Sequence, residues 1–344
     1  MTRGGFSPGR LLAVCAGLLA LLAAVIVVSL FFGAVPVSPA ALFSGSLPAG
    51  DAARAREILL GLRLPRVLLA ALVGAALSAS GVTFQAILRN PLADPFILGI
   101  SGGAALGAIA SAALGLDGAG PVAGSIARPL AAFAGSGLTL LLLLTLSRRS
   151  GRGSNVPMLL TGVVVNAFFS AVILFVITVV DYTRFQRVFF WLVGNLEPPA
   201  PGPLIAASAA VFLGLGALGL LSWRMNLLVL GEDEAHALGI DPDLTKRLAI
   251  LSASLLTAAA VSLSGLIGFV GLMAPHAARA VFGSDNRVLI PVSALGGAIF
   301  LVAADTLART LLAPVEMPVG IITAVCGGPF FLWLFHRSRG EAWS

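Results

Sequence analysis

Few side chains in this sequence are of the types that carry out acid–base or metal chemistry. Its three histidines, His236, His276 and His336, are each isolated, and no paired carboxylates lie on one apolar face as a hydrolytic or metal site requires. Cys15 and Cys326 lie within apolar stretches, which favours small buried side chains over a disulfide or a zinc site. We therefore expect no catalytic residue and no metal site, with a membrane enzyme as an alternative.

The only lysine in the chain, Lys246, argues against nucleotide binding by a P-loop. That motif places a lysine after a glycine-rich turn and before serine or threonine. Lys246 stands instead in the run Leu244-Thr245-Lys246-Arg247, with no such glycine. We expect no ATP site of this kind in the chain.

Polar residues inside apolar stretches are few, namely Gln85, Asn166, Asp305 and Arg309. Asp305 and Arg309 are four residues apart, so they can pair on one face of a helix. Either they form a self-neutralising structural pair, or Asp305 orients Arg309 toward the outer surface and an acidic partner. A proton relay would need more intramembrane acids than this one.

The composition is that of a polytopic membrane protein. Of the 344 residues, 58% are hydrophobic and 10% are charged, with a mean hydropathy of +1.02, whereas soluble domains are about 25% charged. At about 20 residues per crossing, the chain has room for roughly ten transmembrane helices. We expect an all-α fold in a single membrane domain, residues 1–344, with a cytoplasmic tail at 1–10 and a polar loop at 223–247. The basic residues are scattered singly, which argues against nucleic-acid binding.

The apolar stretches place the ten crossings. The first is Leu11 to Phe32, read as uncleaved, with a secretory signal as the alternative. The hairpin from Arg63 to Gly107 supplies the second and third. The remaining seven are predicted at residues 128–146, 157–180, 204–222, 248–264, 266–281, 288–312 and 319–335. Residues 51–62 are predicted to form a short interfacial helix and residues 181–203 an aromatic surface helix outside.

The hairpin turns at Asn90 to Pro95, and its second arm carries Gly99, Gly103 and Gly107. Small residues at every fourth position let another helix backbone approach closely. The hairpin therefore predicts a packed pair of membrane helices; a buried hairpin in a soluble core is the alternative.

Charge and internal similarity indicate the topology. A cytoplasmic N-terminus places 13 of the 21 basic residues inside, as the positive-inside rule favours. The other eight, at 54, 56, 63, 66, 128, 184, 187 and 309, lie outside. The run Ser78 to Gly81 recurs as Ser262 to Gly265, each followed ten residues later by proline. This indicates either an inverted five-plus-five repeat or chance similarity.

The polar loop from Leu230 to Pro242 predicts a brief helix. Three acids stand at its start, where they favour the positive helix end, and Gly239 is a natural terminator. Its apolar residues Ala235, Ala237 and Leu238 are small enough to lie in a groove of another protein. A solvated loop helix is the alternative.

A series of motifs runs in order from about Phe31 to Arg339. They are RLPR at 63–66, QAILRNPLADP at 85–95, LGISGGA at 98–104, the loop at 230–239, GFVGLMAPH at 268–276, the pair Asp305 and Arg309, and EMPVG at 316–320. In their order and spacing they resemble the permease family of type II ABC importers for iron-siderophores, haem and cobalamin.

The resemblance implies a ten-helix subunit in the bacterial inner membrane that pairs with a second copy around a central pathway. Two ATPase subunits would dock inside, carrying the ATP and magnesium, and a solute-binding protein would dock outside. The chain itself would hold no cofactor and would not be an enzyme. The cargo would be a metal chelate such as ferric siderophore, haem or cobalamin. The alternative from another class is a secondary transporter driven by an ion gradient.

The resemblance also implies roles for particular residues. The family's coupling helix falls on Gly231, Glu232, Asp233, Ala235, Leu238 and Gly239. Its outer docking arginines match Arg63, with Arg66 beside it, and Arg309. The family's pathway is lined mainly by crossings five and ten, which places Thr161, Asn166, Phe168 and Phe169 on or near it by helix number.

Overall fold

The structure, a computed structural model, describes residues 7–33, 35, 49–96, 98–116, 120–147, 156–179, 189–198 and 200–339. Within these ranges the chain is helical and has no strand. A π-helix, Glu57–Arg63, precedes the third helix. The α-helices are α1 (Pro8–Phe31), α2 (Ala49–Arg56), α3 (Leu64–Ile87), α4 (Ile100–Ala113), α5 (Pro121–Ser147), α6 (Val156–Val179), α7 (Pro201–Leu230), α8 (Glu232–Ala237), α9 (Pro242–Ser264), α10 (Val270–Phe282), α11 (Asn286–Thr310) and α12 (Val319–Arg339).

The described helices confirm an all-α polytopic membrane fold of approximately ten crossings. Seven helical segments are long and apolar enough to span a bilayer. The third, eighth and tenth predicted crossings match shorter apolar helices: α4 has 14 residues, α10 has 13, and the apolar part of α12 is Val319–Leu334. A helix of 14 residues rises only about 21 Å, less than the ~30 Å hydrocarbon core.

Part of the predicted topology lies outside the described residues. This holds for the basic residues at 3, 148, 149, 152, 184 and 187 and for most of the first half of the surface helix predicted at 181–203. The cytoplasmic position of the N-terminus stays a prediction.

The segment at 51–62 was expected from its polarity to form a separate interfacial helix. It does not. Arg63 (φ −79°, ψ −44°) and Leu64 (φ −60°, ψ −48°) keep helical geometry, so α2, the π-helix and α3 run continuously from Asp51 to Ile87. The Leu64 N–H bonds to the Leu59 carbonyl, five residues back. Pro65 lacks an N–H and crowds the carbonyl four residues earlier, and a widened turn accommodates it without breaking the helix.

The polar loop is shorter than the predicted range of 223–247. Helix α7 continues to Leu230, and α9 begins at Pro242. The Asp241 carboxylate caps α9 by accepting a hydrogen bond of 3.0 Å from the Leu244 N–H, and proline fits the first helical turn. Only Gly231 to Asp241 therefore projects between the two long helices.

Helix α3 lies at the centre of the bundle and depends on glycine for its packing. Gly74 lies directly against the backbone of Gly297 in α11, and Gly81 lies against Gly271 in α10. A Cβ at either position would collide with the facing carbonyl. Arg66 of α3 also meets residue 305 of α11, so α3 and α11 run antiparallel. Backbone contact at these glycines brings three helices together.

The glycine strip of α4 is confirmed at two of its three positions. Gly103 and Gly107 lie against Gly135 and Ala131 of α5, where a side chain would meet backbone atoms. Gly99 is not part of the helix. It precedes α4 with a left-handed φ of +78°, and it faces Gly162 of α6. Its role is to turn the chain into α4.

The two copies of the possible repeat sit differently in their helices. Gly81 lies in the middle of α3, whereas Gly265 (φ +68°) ends α9. Both α3 and α9 nevertheless lead through a break to a short helix that follows a left-handed residue, Gly99 before α4 and Phe269 (φ +68°) before α10. The inverted repeat stays a prediction.

Candidate coupling and docking sites

Helix α8 forms a small projection between α7 and α9. It contains six residues, Glu232–Ala237. Gly231 precedes it with φ +154° and ψ +156°, a conformation almost restricted to glycine. Gly239 follows with φ +81°, which confirms that this glycine terminates the helix. No neighbouring atom approaches the Cβ position of Gly239, so only its backbone conformation restricts that site.

The sides of α8 are divided between this chain and solvent. Ala235 is fully buried against the chain itself, so its side chain is not on the exposed surface of α8, and its role in coupling stays a prediction. Helix α8 packs against the end of α7. Leu238 is 59% exposed, and Asp233 and Ala237 are exposed beside it. These three residues belong to the exposed surface of α8 and its C-terminal end, which also includes Glu234 and His236.

An ion pair fixes the start of α8. The Lys246 Nζ of α9 lies 2.5 Å from the Glu232 Oε1. Both side chains are partly exposed, so the pair contributes little to stability. It does set the orientation of α8 relative to α9.

The C-terminal end of α7, next to α8, contacts two other parts of the bundle. The Arg89 Nη2 donates to the Leu228 carbonyl at 2.7 Å. The Asn226 amide donates to the Asp285 carboxylate at 2.6 Å, and its oxygen accepts from the Asn286 N–H at 2.8 Å. Burial raises the pKa of Asp285, but hydrogen bonds from Arg287 and Asn226 outweigh it and lower that pKa.

A charged cluster lies at the opposite end of the bundle, where α3 begins and α11 ends, on the side predicted to be outer. The Arg66 guanidinium lies 3.0 Å from Asp305 and 2.6 Å from Glu316. Asp305 also lies 2.9 Å from the Arg309 Nε, which confirms that these two residues pair across one helical turn. Asp305 is fully buried between two arginines.

The outer arginines are largely occupied within the chain. Arg63 donates to the carbonyls of Leu30 (2.8 Å) and Val35 (2.5 Å), and Arg309 donates to the Phe32 carbonyl at 3.2 Å. These guanidinium groups bind carbonyls at and beyond the end of α1, where positive charge is favourable. Arg63 and Arg309 are 6% and 2% exposed. Their role in docking stays a prediction, and in this conformation they would have to leave these contacts to reach a partner.

The four predicted pathway residues lie together on α6. Phe168 is 63% exposed, and its ring centroid is 6.1 Å from that of the half-buried Phe169. Thr161 and Asn166 are also half-buried, and Asn166 lies against Gly102 of α4. Whether these residues line a pathway stays a prediction.

The cysteines differ from the expectation of burial. Cys326 is exposed on α12, and Cys15 is half-exposed on α1, because both helices lie at the edge of the bundle. Within the part of the chain that the structure describes, no group of three or more His, Cys, Asp or Glu side chains forms a cation site.

A bundle of about ten helices, seven of its segments long and apolar enough to cross a bilayer, defines a polytopic membrane protein. The chain matches the model of the FecCD transport family over residues 21–337. It belongs to that family.

Individual relatives agree with this assignment. The chain is 43% identical over 300 residues to the cobalamin import system permease protein BtuC of Halobacterium salinarum, covering 87% of this chain and 79% of the relative. It is 44% identical over 288 residues to the hemin transport system permease protein HmuU of Yersinia pestis, covering 83% and 85%. A solved structure assigned to a metal-chelate type ABC transporter in an inward-facing conformation has a TM-score of 0.81 and 32% identity, covering 94% of this chain and 99% of that chain.

Proposed function

We propose that this chain is the membrane-spanning subunit of a binding-protein-dependent ABC importer that carries a metal chelate into the bacterial cytoplasm. Relatives described as permeases for cobalamin and for hemin support the transport class. The chain would carry no enzymatic activity itself, and a separate ATPase with bound ATP and magnesium would power it. The cargo class is cobalamin, haem or a ferric siderophore.

The observation that carries the proposal is the exposed side of α8. Its residues Asp233, Ala237 and Leu238 are available for another protein, and glycines at 231 and 239 fix the ends of the helix. In an ABC importer this surface would bind the ATPase subunit and transmit the movement of that subunit to the membrane helices.

Copurification tests this contact. We expect Leu238→Glu to insert normally but to lose most of the ATPase subunit that copurifies with the wild type, because the substitution places a charge in an apolar contact. His236→Glu is the matched control, since His236 is exposed on α8 outside the proposed contact. Equal ATPase recovery from Leu238→Glu and the wild type would contradict this assignment.

We also propose that the subunit functions as a homodimer whose pathway runs beside α6 and α12. Exposed large apolar side chains on both helices support this arrangement, among them Phe168, Phe175 and Trp333. The exposed Cys326 on α12 supplies a direct test. Mild oxidation or a short bifunctional maleimide should crosslink the Cys15→Ser variant into dimers in membranes. The variant with Cys326→Ser should stay monomeric, and a failure of Cys326 to crosslink would place α12 away from the dimer axis.

At the outer face we propose that a solute-binding protein docks on the cluster of Arg63, Arg66 and Arg309. Complementary charge would steer this encounter. Arg66 is the member with the most accessible side chain of the three, at 15%. We expect Arg66→Glu to slow association of the binding protein and to reduce the dependence of that rate on salt.

A further inference from the structure

The contact between Arg89 and Leu228 is the first of a series of contacts that lead from the end of α7, next to α8, to the predicted pathway helix α6. Leu228 lies in the last turn of α7, and α8 begins after the single residue Gly231 that follows that helix. The last four carbonyls of a helix have no partner within it. The Arg89 guanidinium satisfies one of them at 2.7 Å. Any displacement of α8 that moves the end of α7 therefore acts on Arg89.

Arg89 begins a turn that local hydrogen bonds hold over residues 89–96. Arg89 itself has a left-handed φ of +49°. Beyond it, the Ala93 N–H bonds to the Asn90 carbonyl at 3.0 Å, and the Phe96 N–H bonds to the Asp94 carboxylate at 2.8 Å. Ala93 is fully buried. Local hydrogen bonds and burial leave this turn little freedom to deform.

The turn ends on α6. Gly99 closes it, and the Gly99 N–H bonds to the Phe96 carbonyl at 3.1 Å. Gly99 then packs against Gly162, and Gly102, in the first turn of α4, packs against Asn166. Gly99 faces backbone atoms of Gly162 and Asn166, whereas Gly102 faces the Asn166 side chain. A shift of the turn is thus delivered to α6 beside the predicted pathway residues.

We infer that Arg89 is a positioning residue that transmits movement of α8 to α6. This inference rests on the proposed function, because it assumes that an ATPase moves α8. Physical contiguity alone does not establish coupling. The contact must therefore be broken and the response of α6 measured.

The first test measures transport and ATP hydrolysis together, in proteoliposomes that contain the complete importer. Labelled cobalamin, haem and a ferric hydroxamate siderophore serve as probes. We expect Arg89→Ala to lower the amount of cargo moved per ATP about three- to tenfold. Complex assembly and melting temperature should stay unchanged. Arg89→Lys should recover part of the ratio, because an ammonium group can still donate to the Leu228 carbonyl. The matched control is Arg224→Ala, which removes an exposed arginine from the end of α7 that carries Leu228.

The second test does not need a known cargo. An environment-sensitive fluorophore is attached at His236→Cys, exposed on α8 outside the proposed ATPase contact, or at Phe168→Cys on α6, in protein with Cys15→Ser and Cys326→Ser. In the complex with wild-type Arg89, ATP should change the emission of both labels. In Arg89→Ala it should change only the label on α8.

Two results would overturn the inference. The first is that ATP changes the emission of the label on α6 equally with and without Arg89. The second is that Arg89→Ala moves the same amount of cargo per ATP as Arg224→Ala. A complex in which neither label responds to ATP would contradict the proposed function, and the inference would fall with it.

Discussion

The ammonium nitrogen of Lys246 lies 2.5 Å from the Glu232 carboxylate and connects the second turn of α9 to the first residue of α8. A partly exposed pair of this kind is worth at most about 1 kcal/mol. Its value lies in orientation, because α8 is only six residues long and has few other contacts with α9.

Reversing the charge of Glu232 should therefore affect coupling more than folding. We expect Glu232→Lys to insert and assemble, but to lose most transport per ATP hydrolysed. The reason is that repulsion from Lys246 would change the orientation of α8 in its contact with the ATPase. Glu232→Gln is the control, since its amide oxygen can still accept a hydrogen bond from Lys246. Simultaneous measurement of uptake and ATP hydrolysis checks this prediction. Wild-type uptake by Glu232→Lys would rule out a coupling role for this end of α8.

Gly239 offers a test of conformation without steric conflict. Its φ is +81°, and no atom lies near its Cβ position. Asparagine adopts this conformation far more readily than a β-branched residue. We therefore expect Gly239→Asn to retain most ATPase binding and Gly239→Val to lose it. The ATPase retained per permease after affinity purification gives the comparison, and equal retention by both variants would count against a fixed end of α8.

Two adjacent glycines in α11 should differ sharply in tolerance. Gly297 lies against Gly74 and Ser78 of α3, whereas nothing lies near the Cβ position of Gly296. We expect Gly297→Ala to lose about 1–3 kcal/mol through overpacking. Gly296→Ala should be neutral or slightly stabilising, because alanine favours helix. Melting temperatures in detergent measure both variants, and equal melting temperatures would contradict the proposed packing of α3 on α11.

Asp305 and Glu316 both contact Arg66, but their burial differs. Asp305 is fully buried, whereas the Glu316 side chain is 45% exposed. Asp305→Ala leaves the buried Arg309 and the partly buried Arg66 without their shared partner, at a cost of about 3–5 kcal/mol. Glu316→Ala should cost less than about 1 kcal/mol. The yield of folded protein after heating distinguishes Asp305→Ala from Glu316→Ala. Equal yields from the two variants would show that the cluster is not needed for folding.

Asp94 makes stability depend on pH. Burial raises its pKa from 3.8 to about 6, although the Phe96 N–H opposes this effect. An acid with a raised pKa destabilises the folded protein as pH rises from the unfolded pKa through the folded one. Asp94→Asn keeps the acceptor for the Phe96 N–H and removes the buried charge, so it should gain roughly 2–3 kcal/mol at pH 8.

The gain from Asp94→Asn should shrink at pH 5, where most of the wild-type carboxyl is protonated in the folded protein. Melting temperatures of both proteins at the two pH values check this. A difference that is the same at pH 5 and pH 8 would show that Asp94 does not titrate in this range.

The sequence predicted the long crossings well because each is a local feature. Apolar length identified α1, α6 and α11 to within a few residues, and the four-residue spacing of Gly103 and Gly107 correctly indicated close helix packing. The resemblance to the permease family was confirmed over nearly the whole chain.

The features that were missed depend on distant parts of the chain. Arg89 and Leu228 are 139 residues apart, so no local pattern pairs them. The burial of Ala235 depends on where α7 lies beneath α8. The continuous helix through Arg63 was missed because polarity before Pro65 resembles a break, whereas a π-helical turn absorbs the proline.

The most direct test of the central claim is uptake into proteoliposomes that contain this chain with its ATPase and binding protein. We predict that a labelled cobalamin, haem or ferric siderophore accumulates only when ATP, the ATPase and the binding protein are all present. The chain alone should give no uptake under a proton or sodium gradient. Uptake by the chain alone, driven by such a gradient, would contradict the account and identify a secondary transporter.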